Sequence, residues 1–369
     1  MKAVTILGGT GIFGGRIAAG LAESPEIQVT IASRSPERAA SFAGRIGARC
    51  VVCDATSLES VETILEETDL LIHTAGPFQG DDYRVAEACI RGGVHYLDIS
   101  DGRDFVCGIT VLDAAAKEGG VVIGAGASSV PTITHAMIGE LATDFSSIET
   151  IQIALSPGNR NPRGSSTIGA ILSYVGRPIR VWEQGQWNSV FGWSDCQVLD
   201  FPAKVGRRRV YRCETPELEL FPSRWKAGTV RFHAGVELNL INHTFDVMGR
   251  LRRRIPLPWL PRLAGVMTQL SRLVFSWGSK NGALSVWVKG IGSAGTRIER
   301  RLAIVTDDDG PATPSSPGIL LGRKILLEDS LPPGAYPCCG HLEFSDIMRH
   351  LEPFGIWHAS GDESGWAAG

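Results

Sequence analysis

The fold is decided near the start of the chain by the stretch Gly8-Gly9-Thr10-Gly11-Ile12-Phe13-Gly14. An apolar run at residues 3–7 precedes it, and an amphipathic helix containing Ile17, Ala18 and Leu21 is predicted after it. The spacing satisfies both GxGxxG (positions 9, 11 and 14) and GxxGxxG (positions 8, 11 and 14). Such glycines permit a tight turn, bare backbone beside a pyrophosphate and close helix–strand contact. Because a helix N-terminus also attracts anions, the stretch predicts a dinucleotide-binding turn.

The first 125 residues alternate short apolar runs with helical patterns, as in a doubly wound parallel sheet. We predict strands at residues 3–7, 28–32, 49–53, 70–74, 95–98 and 121–123, with helices between them. Fully apolar runs such as residues 121–123 suit strands that are buried on both faces. The pattern therefore predicts an α/β fold with a six-stranded Rossmann sheet over residues 1–125.

The amino-acid composition changes near residue 126, where Gly, Pro, Trp and Arg become more frequent. Strand-like runs follow at residues 150–155, 209–213, 230–239, 283–289 and 297–306. They predict a mixed α+β domain over residues 126–311 for substrate binding or dimerisation. A Pro- and Ser-rich connector at residues 310–318 leads to helical runs at 319–328 and 344–351. We predict that residues 312–357 return to the Rossmann domain and that residues 358–369 form a flexible tail.

Composition limits the class of protein. At 369 residues two domains are expected, and 36 basic against 39 acidic residues give a net charge of −3, which offers no general attraction to nucleic acid. The eight cysteines are too sparse for a disulfide scaffold, and no secretory segment precedes the first strand. We therefore expect a cytoplasmic protein whose partner is a small molecule.

A basic and apolar segment qualifies this expectation. Residues 250–254 are rich in arginine, and the apolar residues 255–277 that follow contain Arg262 and Arg272. No run reaches the ~18 apolar residues that span a bilayer. The segment is compatible with contact at a membrane surface or with a homodimer interface. We favour a helix that packs on its own domain or on a second subunit.

The choice of cofactor depends on the end of the second strand, where an NAD site would place an acidic residue. The chain has Ser33, Arg34 and Ser35 there, a set suited to a 2′-phosphate, so we predict NADP(H). The alternative is a solvated surface arginine, which the absence of a nearby acid in the sequence disfavours. Asp54 and Ala55, after the third strand, are candidates for the adenine end, although Asp54 is equally placed to cap the next helix.

Further motifs resemble the saccharopine dehydrogenase-like oxidoreductases. In chain order they are GGTGIFG, ASR, CDA, TAGPF, VAEACIRGGVHYLDIS and GAGASSVP, and they cover about the first 135 residues. SPGNRNPRGSSTIGAILSYVGRP and FPAKVGRRRVYRCETPELE extend the similarity, to bacterial members, over most of the chain. The resemblance implies an NADP(H)-dependent oxidoreductase with its reaction in the cleft between two domains. The family includes enzymes that join an amino acid to a carbonyl and others that resemble enoyl reductases.

The fourth and fifth strands end in the residues expected near the nicotinamide. The cofactor candidates there are Thr74, Ala75, Gly76 and Pro77, and the catalytic candidates are Tyr96, Asp98 and Asp101. Many relatives continue the strand-5 motif as Ser-Gly-Glu, whereas this chain has Ser100-Asp101-Gly102, so an acid role falls to Asp98 or Asp101. Alternatively these residues only shape turns and cap helices. The missing glutamate favours a second hypothesis, a catalytically silent NADP-sensing or scaffold protein.

Other constellations are less informative. No tyrosine is followed four residues later by lysine, which excludes the short-chain dehydrogenase mechanism. The loop before a predicted helix offers substrate candidates, although a capped helix start with exposed arginines is as good an interpretation. These candidates are Asn159, Arg160, Arg163 and Ser165.

No metal site is predicted. Cys50 and Cys53 lie three apart on a strand and so face opposite ways. The run Cys338-Cys339-Gly340-His341 lacks an evident fourth ligand. His135, on a predicted helix, is interpreted as a packing residue.

Overall fold

This computed structural model describes residues 1–367, and apolar runs rich in Val, Ile and Leu form many of its strands. The strands are β1 (Lys2–Leu7), β2 (Ile27–Ser33), β3 (Arg49–Val52), β4 (Leu70–His73), β5 (His95–Asp98), β6 (Val122–Ala125), β7 (Phe145–Ser156), β8 (Pro178–Glu183), β9 (Gln186–Phe191), β10 (Gln197–Asp200), β11 (Arg207–Arg212), β12 (Thr229–Ala234), β13 (Gly282–Gly292), β14 (Arg297–Thr306), β15 (Gly334–Pro337), β16 (Ile356–Asp362) and β17 (Gly365–Trp366).

Helices connect most of these strands. They are α1 (Ile12–Ala22), α2 (Pro36–Ile46), α3 (Leu58–Leu65), α4 (Arg84–Arg91), α5 (Arg103–Gly108), α6 (Asp113–Glu118), α7 (Thr134–Ala142), α8 (Ser165–Tyr174), α9 (Glu217–Arg224), α10 (Asn239–Arg252), α11 (Ala264–Leu273), α12 (Ala312–Arg323) and α13 (Phe344–Leu351). Within residues 1–367, none of the helices combines the length and the apolar content needed to cross a membrane.

The chain divides into two domains. The first comprises Met1–Ile133 and Pro311–Glu343, and the second comprises Thr134–Gly310 together with the chain from Phe344 onward. The first boundary therefore lies a few residues after the expected one, because the turn Ser129–Ile133 stays with the Rossmann sheet.

The first domain is built on a parallel sheet. Among the described residues it has seven strands, in the order β15-β6-β5-β4-β1-β2-β3. This arrangement confirms the predicted Rossmann fold, with the reversal of strand order between β1 and β4. The prediction of six strands was wrong, because β15 pairs with β6 from a segment far along the chain. Its four residues include Pro337, which an edge strand tolerates.

The second domain is a mixed sheet, as predicted. Within the described residues its main path is β10-β11-β12-β7-β13-β14-β16-β17, with the hairpin β8–β9 attached through β12. β12 and β7 run parallel, whereas β13 is antiparallel to both β7 and β14. One core cluster on this sheet joins Ala154 and Trp287 to Val305 and Phe201.

The C-terminal part differs from the prediction for residues 312–357 and 358–369. Residues up to Glu343 belong to the Rossmann domain, but α13 and β16 belong to the second domain. β16 pairs with β14 over seven positions, so the expected flexible tail is a sheet strand as far as Asp362. Its small polar residues suit a strand near the sheet edge and gave no apolar signal. Residues 368 and 369 of that tail lie outside the described residues.

Two local predictions were also wrong. The expected strand at residues 230–239 ends at Ala234; residues 235–238 form a loop, and Asn239 begins α10. The expected Pro- and Ser-rich connector is mostly helix α12. Its Ser315 and Ser316 hydroxyls donate to the carbonyls of Pro311 and Thr313, so these polar groups are satisfied at the start of that helix.

Candidate functional site

The glycine turn brings the end of β1 against the end of β4. Gly8 has φ +84°, a conformation that favours glycine, and a Cβ there would lie 2.9 Å from the Ala75 nitrogen. A Cβ on Gly14 would overlap the Thr74 hydroxyl oxygen and would lie 2.7 Å from the Gly8 carbonyl oxygen. The Thr74 hydroxyl itself donates to the Leu7 carbonyl at 2.9 Å. The turn therefore forms a close-packed cradle that side chains would fill.

Helix α1 begins directly at this cradle. Its N-cap residue, Gly11, is extended and provides no side-chain cap, and the first turn contains no acidic residue. The first backbone N–H groups of a helix have no partner within the helix, and they carry partial positive charge. The residues present therefore fit the pyrophosphate of a dinucleotide.

The end of β2 lies beside the same turn. The Ser33 and Thr10 hydroxyls are 3.2 Å apart, and the Ser35 N–H donates to the Ser33 hydroxyl at 3.3 Å. The Arg34 side chain is exposed to solvent. The predicted set Ser33, Arg34 and Ser35 thus lies at the carboxyl edge of the sheet, on the strand next to β1.

Asp54, at the end of β3, corrects two arguments from the sequence. Hydrogen bonds from the N–H and hydroxyl of Thr56 lower the pKa of Asp54, and the Arg34 guanidinium lowers it further. An acid therefore does lie near Arg34, contrary to the sequence argument. Asp54 is not the cap of the next helix either, because the Ser57 hydroxyl caps α3 by accepting from the Ser60 N–H. Ala55 follows in the same turn.

Three buried polar side chains, those of His73, Tyr96 and Asp98, lie at the ends of β4 and β5. Asp98 is 0% exposed, and its Oδ1 accepts from the N–H groups of Ser100 at 2.9 Å and Gly126 at 2.8 Å. The Tyr96 hydroxyl, also 0% exposed, lies 3.3 Å from Nδ1 of the buried His73. Asp98 therefore ties the end of β5 to the end of β6.

Burial dominates the electrostatics of this group. It raises the pKa of Asp98 to about 7, against the opposing effects of the N–H groups of Gly126 and Ser100 and of the Tyr96 hydroxyl. Burial also raises the pKa of Tyr96 and lowers the pKa of His73 to about 4. At neutral pH the imidazole and the phenol are uncharged.

The three catalytic candidates differ in their exposure to solvent. Tyr96 and Asp98 are inaccessible to a substrate in this conformation, so direct catalytic contact by either residue is not supported. Asp101 is exposed, and its Oδ1 accepts from the Gln79 amide at 2.8 Å. Of the three, Asp101 is the one with an exposed side chain.

The substrate candidates of the second domain also differ in burial and in hydrogen bonding. Asn159 is 1% exposed, and its amide donates to the carbonyls of Val274 at 2.6 Å and Trp277 at 2.8 Å. Arg163 donates to the carbonyl and side-chain oxygens of Asn159, both at 2.8 Å. Asn159 is thus buried and bonded to backbone carbonyls, and Arg163 is bonded to Asn159, so the predicted substrate role of these two residues stays a prediction. Arg160 and Ser165 are exposed.

The cysteines and His135, which the sequence offered as metal or packing candidates, differ in burial and contacts. Cys50 is exposed on β3, whereas Cys53 is buried and lies one residue beyond the end of that strand. Cys338 and Cys339 are buried, and His135 accepts a hydrogen bond from Arg224 at 2.6 Å. Among residues 1–367, no group of three or more His, Cys, Asp or Glu side chains is arranged to hold a metal ion.

Comparison with known families gives the first domain its class. Residues 4–123 match the saccharopine dehydrogenase NADP-binding domain. The first domain belongs to that family. The resemblance inferred from the motifs is therefore confirmed for this saccharopine dehydrogenase-type domain. A comparison with curated proteins gives no match.

Solved structures extend the similarity to the whole fold. Saccharopine dehydrogenase (L-Glu forming) from Saccharomyces cerevisiae is similar with a TM-score of 0.71 and 15% identity, over 98% of this chain and 100% of that one. Homospermidine synthase from Legionella pneumophila, in complex with NAD, is similar with a TM-score of 0.59 and 12% identity, over 97% of this chain and 90% of that one. At these identities the likeness shows the fold. The family match of the first domain supports a nicotinamide dinucleotide as its cofactor.

One residue of this saccharopine dehydrogenase-type domain was missed as a member of the site. His73 ends β4 and packs edge-on against Phe78 and near the Tyr96 ring. The sequence did contain a signal, since His73 directly precedes the predicted cofactor contact Thr74. Its burial, which makes it a neutral packing partner, depends on the neighbouring strand and could not be derived locally.

Proposed function

We propose that the protein is an NADP(H)-dependent oxidoreductase that transfers a hydride to or from a small carbonyl, imine or enoyl substrate. The observation that carries the proposal is the glycine cradle at the N-terminus of α1, with Arg34 on the adjacent strand end. The matching family is described as NADP-binding, and the similar homospermidine synthase was crystallised with NAD. A nicotinamide dinucleotide is therefore supported, and Arg34 is our reason for choosing NADP(H).

Two sets of residues would bind the two phosphate-bearing parts of the cofactor. The N–H groups of the first turn of α1, at Ile12 and Phe13, would donate to the pyrophosphate. Arg34, with Ser33 and Ser35, would hold the 2′-phosphate through charge-assisted hydrogen bonds. Asp54 does not prevent this, because its carboxylate is hydrogen-bonded to Thr56 and because a phosphate carries more charge than a carboxylate.

The nicotinamide, when bound, would supply or accept the hydride. The proton that accompanies hydride transfer needs an accessible acid or base, and we assign that part to Asp101. His73, Tyr96 and Asp98 would hold the ends of β4, β5 and β6 in place. For substrate contacts we retain the exposed Arg160 and Ser165. Binding of the substrate between the domains, a homodimer and a cytoplasmic location stay predictions.

The cofactor assignment is tested by calorimetric titration with NADPH and NADH. We expect tighter binding of NADPH, and a loss of about tenfold to a hundredfold in NADPH affinity in Arg34→Ala with little change for NADH. Arg49→Ala is the matched control, because Arg49 is also exposed but begins β3, whereas Arg34 follows the end of the parallel strand β2. Equal affinity for both nucleotides in the wild type, or an equal loss in the control, would refute the role of Arg34.

The second candidate function is a catalytically silent NADP(H)-binding protein. The burial of Tyr96 and Asp98 favours it, because two of the three acid–base candidates are out of reach of a substrate. A spectrophotometric screen of carbonyl, imine and enoyl compounds with NADPH separates the two functions. An active compound whose turnover falls about a hundredfold in Asp101→Asn, with unchanged NADPH affinity, supports the oxidoreductase. Tight NADPH binding with no turnover supports the silent protein.

A further inference from the structure

Helix α11 presents an apolar stripe to solvent. Val266, Leu270 and Leu273 recur at the i, i+4 and i+7 spacing of one helix face, and Leu273 is 74% exposed. None of the residues in α11 is buried. Such a stripe normally faces a protein core, so this helix has its apolar side outward.

Helix α10 and the segment after it repeat the pattern. Leu240, Val247 and Leu251 are exposed on one face of α10, and Ile255 and Trp259 are exposed beyond its end. Both helices pack beside α8. Gly249 of α10 lies against Gly176, just after α8, and Ala264 of α11 lies against Gly169 of α8. We call the exposed residues from 240 to 277 the α10–α11 surface.

The charge of this surface is mostly of one sign. Residues 247–298 contain no Asp or Glu. One arginine, Arg250, pairs with Asp246 one turn earlier in α10 at 2.8 Å. Arg252 is buried and donates to backbone carbonyls at the end of α8, so it does not contribute to the surface. The other exposed arginines in or beside the apolar positions are Arg253, Arg254, Arg262 and Arg272.

We propose that the α10–α11 surface docks on a membrane that contains anionic phospholipid. Exposed Leu, Val and Trp side chains beside arginines that lack an acidic neighbour in the segment are what an in-plane membrane helix uses. Its apolar side lies in the acyl boundary and its cations lie at the head groups. A second copy of the chain is a poorer occupant. A two-fold interface brings the same patch together on both subunits, so arginines would face arginines without a carboxylate from residues 247–298 to pair them.

The test measures partition of the full-length protein onto sedimented vesicles of phosphatidylcholine, with or without about a third of phosphatidylglycerol. Arg254→Gln/Arg262→Gln/Arg272→Gln removes charge, and Val266→Ser/Leu270→Ser/Leu273→Ser removes the apolar stripe. Val111→Ser/Leu327→Ser is the matched control, because both side chains are exposed in the first domain. Circular dichroism melting verifies that each variant folds.

The wild type should bind the anionic vesicles, and binding should weaken as salt is raised because the attraction is screened. The charge variant should lose roughly ten- to a hundredfold in partition coefficient, the stripe variant at least as much, and the control nothing. Three outcomes would overturn the proposal: no binding to anionic vesicles, equal binding to neutral and anionic vesicles, or an equal loss in the control. Analytical ultracentrifugation adds a fourth, a dimer that dissociates in the stripe variant while vesicle binding is absent.

Discussion

Replacement of Asp98 by asparagine isolates the energetic cost of the buried carboxylate. In the folded protein burial raises the pKa of Asp98 to about 7, whereas the ordinary value is 3.8. As pH rises from about 4 to about 7, the unfolded chain therefore releases a proton that the folded chain retains. Asp98 thus contributes stability below pH 3.8, and this is lost as pH rises through 7.

The magnitude follows from the two pKa values. Each unit of difference is worth about 1.4 kcal/mol, so the wild type should lose about 2 kcal/mol of unfolding free energy to this group between pH 5 and pH 7. The amide that replaces the carboxylate does not titrate, and its oxygen can accept the same two N–H groups of Ser100 and Gly126. The stability of the variant minus that of the wild type should therefore rise by about 2 kcal/mol over this interval and change little above about pH 8.

Urea denaturation at a series of pH values measures this difference. All nine tryptophans lie in the second domain, so tryptophan fluorescence follows that domain, while far-UV circular dichroism follows both. The pH-dependent difference should appear in circular dichroism and be absent from the fluorescence transition. Asp104→Asn, which removes an exposed carboxylate of the same domain, is the matched control. A difference between Asp98→Asn and wild type that stays flat from pH 5 to pH 8 would refute the reasoning.

Three further predictions use the same measurements. Gly14→Ala should destabilise the first domain by about 1–3 kcal/mol and weaken NADPH binding, because its Cβ overlaps the Thr74 hydroxyl; an unchanged melting curve would contradict this. His73→Phe should give the opposite pH dependence to Asp98→Asn: burial lowers the His73 pKa to about 4, so the wild type loses stability as pH falls below 6.5, by about 2 kcal/mol at pH 5, and the variant does not. Asn159→Ala should lower the tryptophan-detected stability by about 1–3 kcal/mol with unchanged NADPH affinity; full stability with a raised KM would instead support its substrate role.

The first domain could be predicted well because its signals are local. A strand that runs into a glycine turn and then a helix is specified within about twenty residues of sequence. β15 could not be predicted in the same way. It pairs with β6 from more than two hundred residues away, and its four residues contain too little apolar periodicity to be found.

The sequence placed the candidate residues at strand ends, but it did not reveal which of them are buried. A carboxylate at a strand end has the same sequence signature whether it faces a substrate or accepts backbone N–H groups. Asp98 accepts backbone N–H groups, and one of them comes from Gly126 at the end of the neighbouring strand, which the local sequence does not show. Asn159 is a similar case, since the carbonyls that receive its amide lie 115 and 118 residues away.

The buried carboxylate of Asp98 also affects the backbone around Asp101. Asp98 accepts from the Ser100 N–H at 2.9 Å, and the fully buried Ser100 hydroxyl accepts from the Gly102 N–H at 3.1 Å. These two bonds fix the backbone on both sides of Asp101 while its own side chain stays exposed. An acid on a rigid support, in contact with solvent, meets the geometric requirement for proton transfer better than a buried one does. Asp98 and Ser100 therefore fix the backbone around the exposed carboxylate of Asp101, which is the arrangement that our proposal for Asp101 needs.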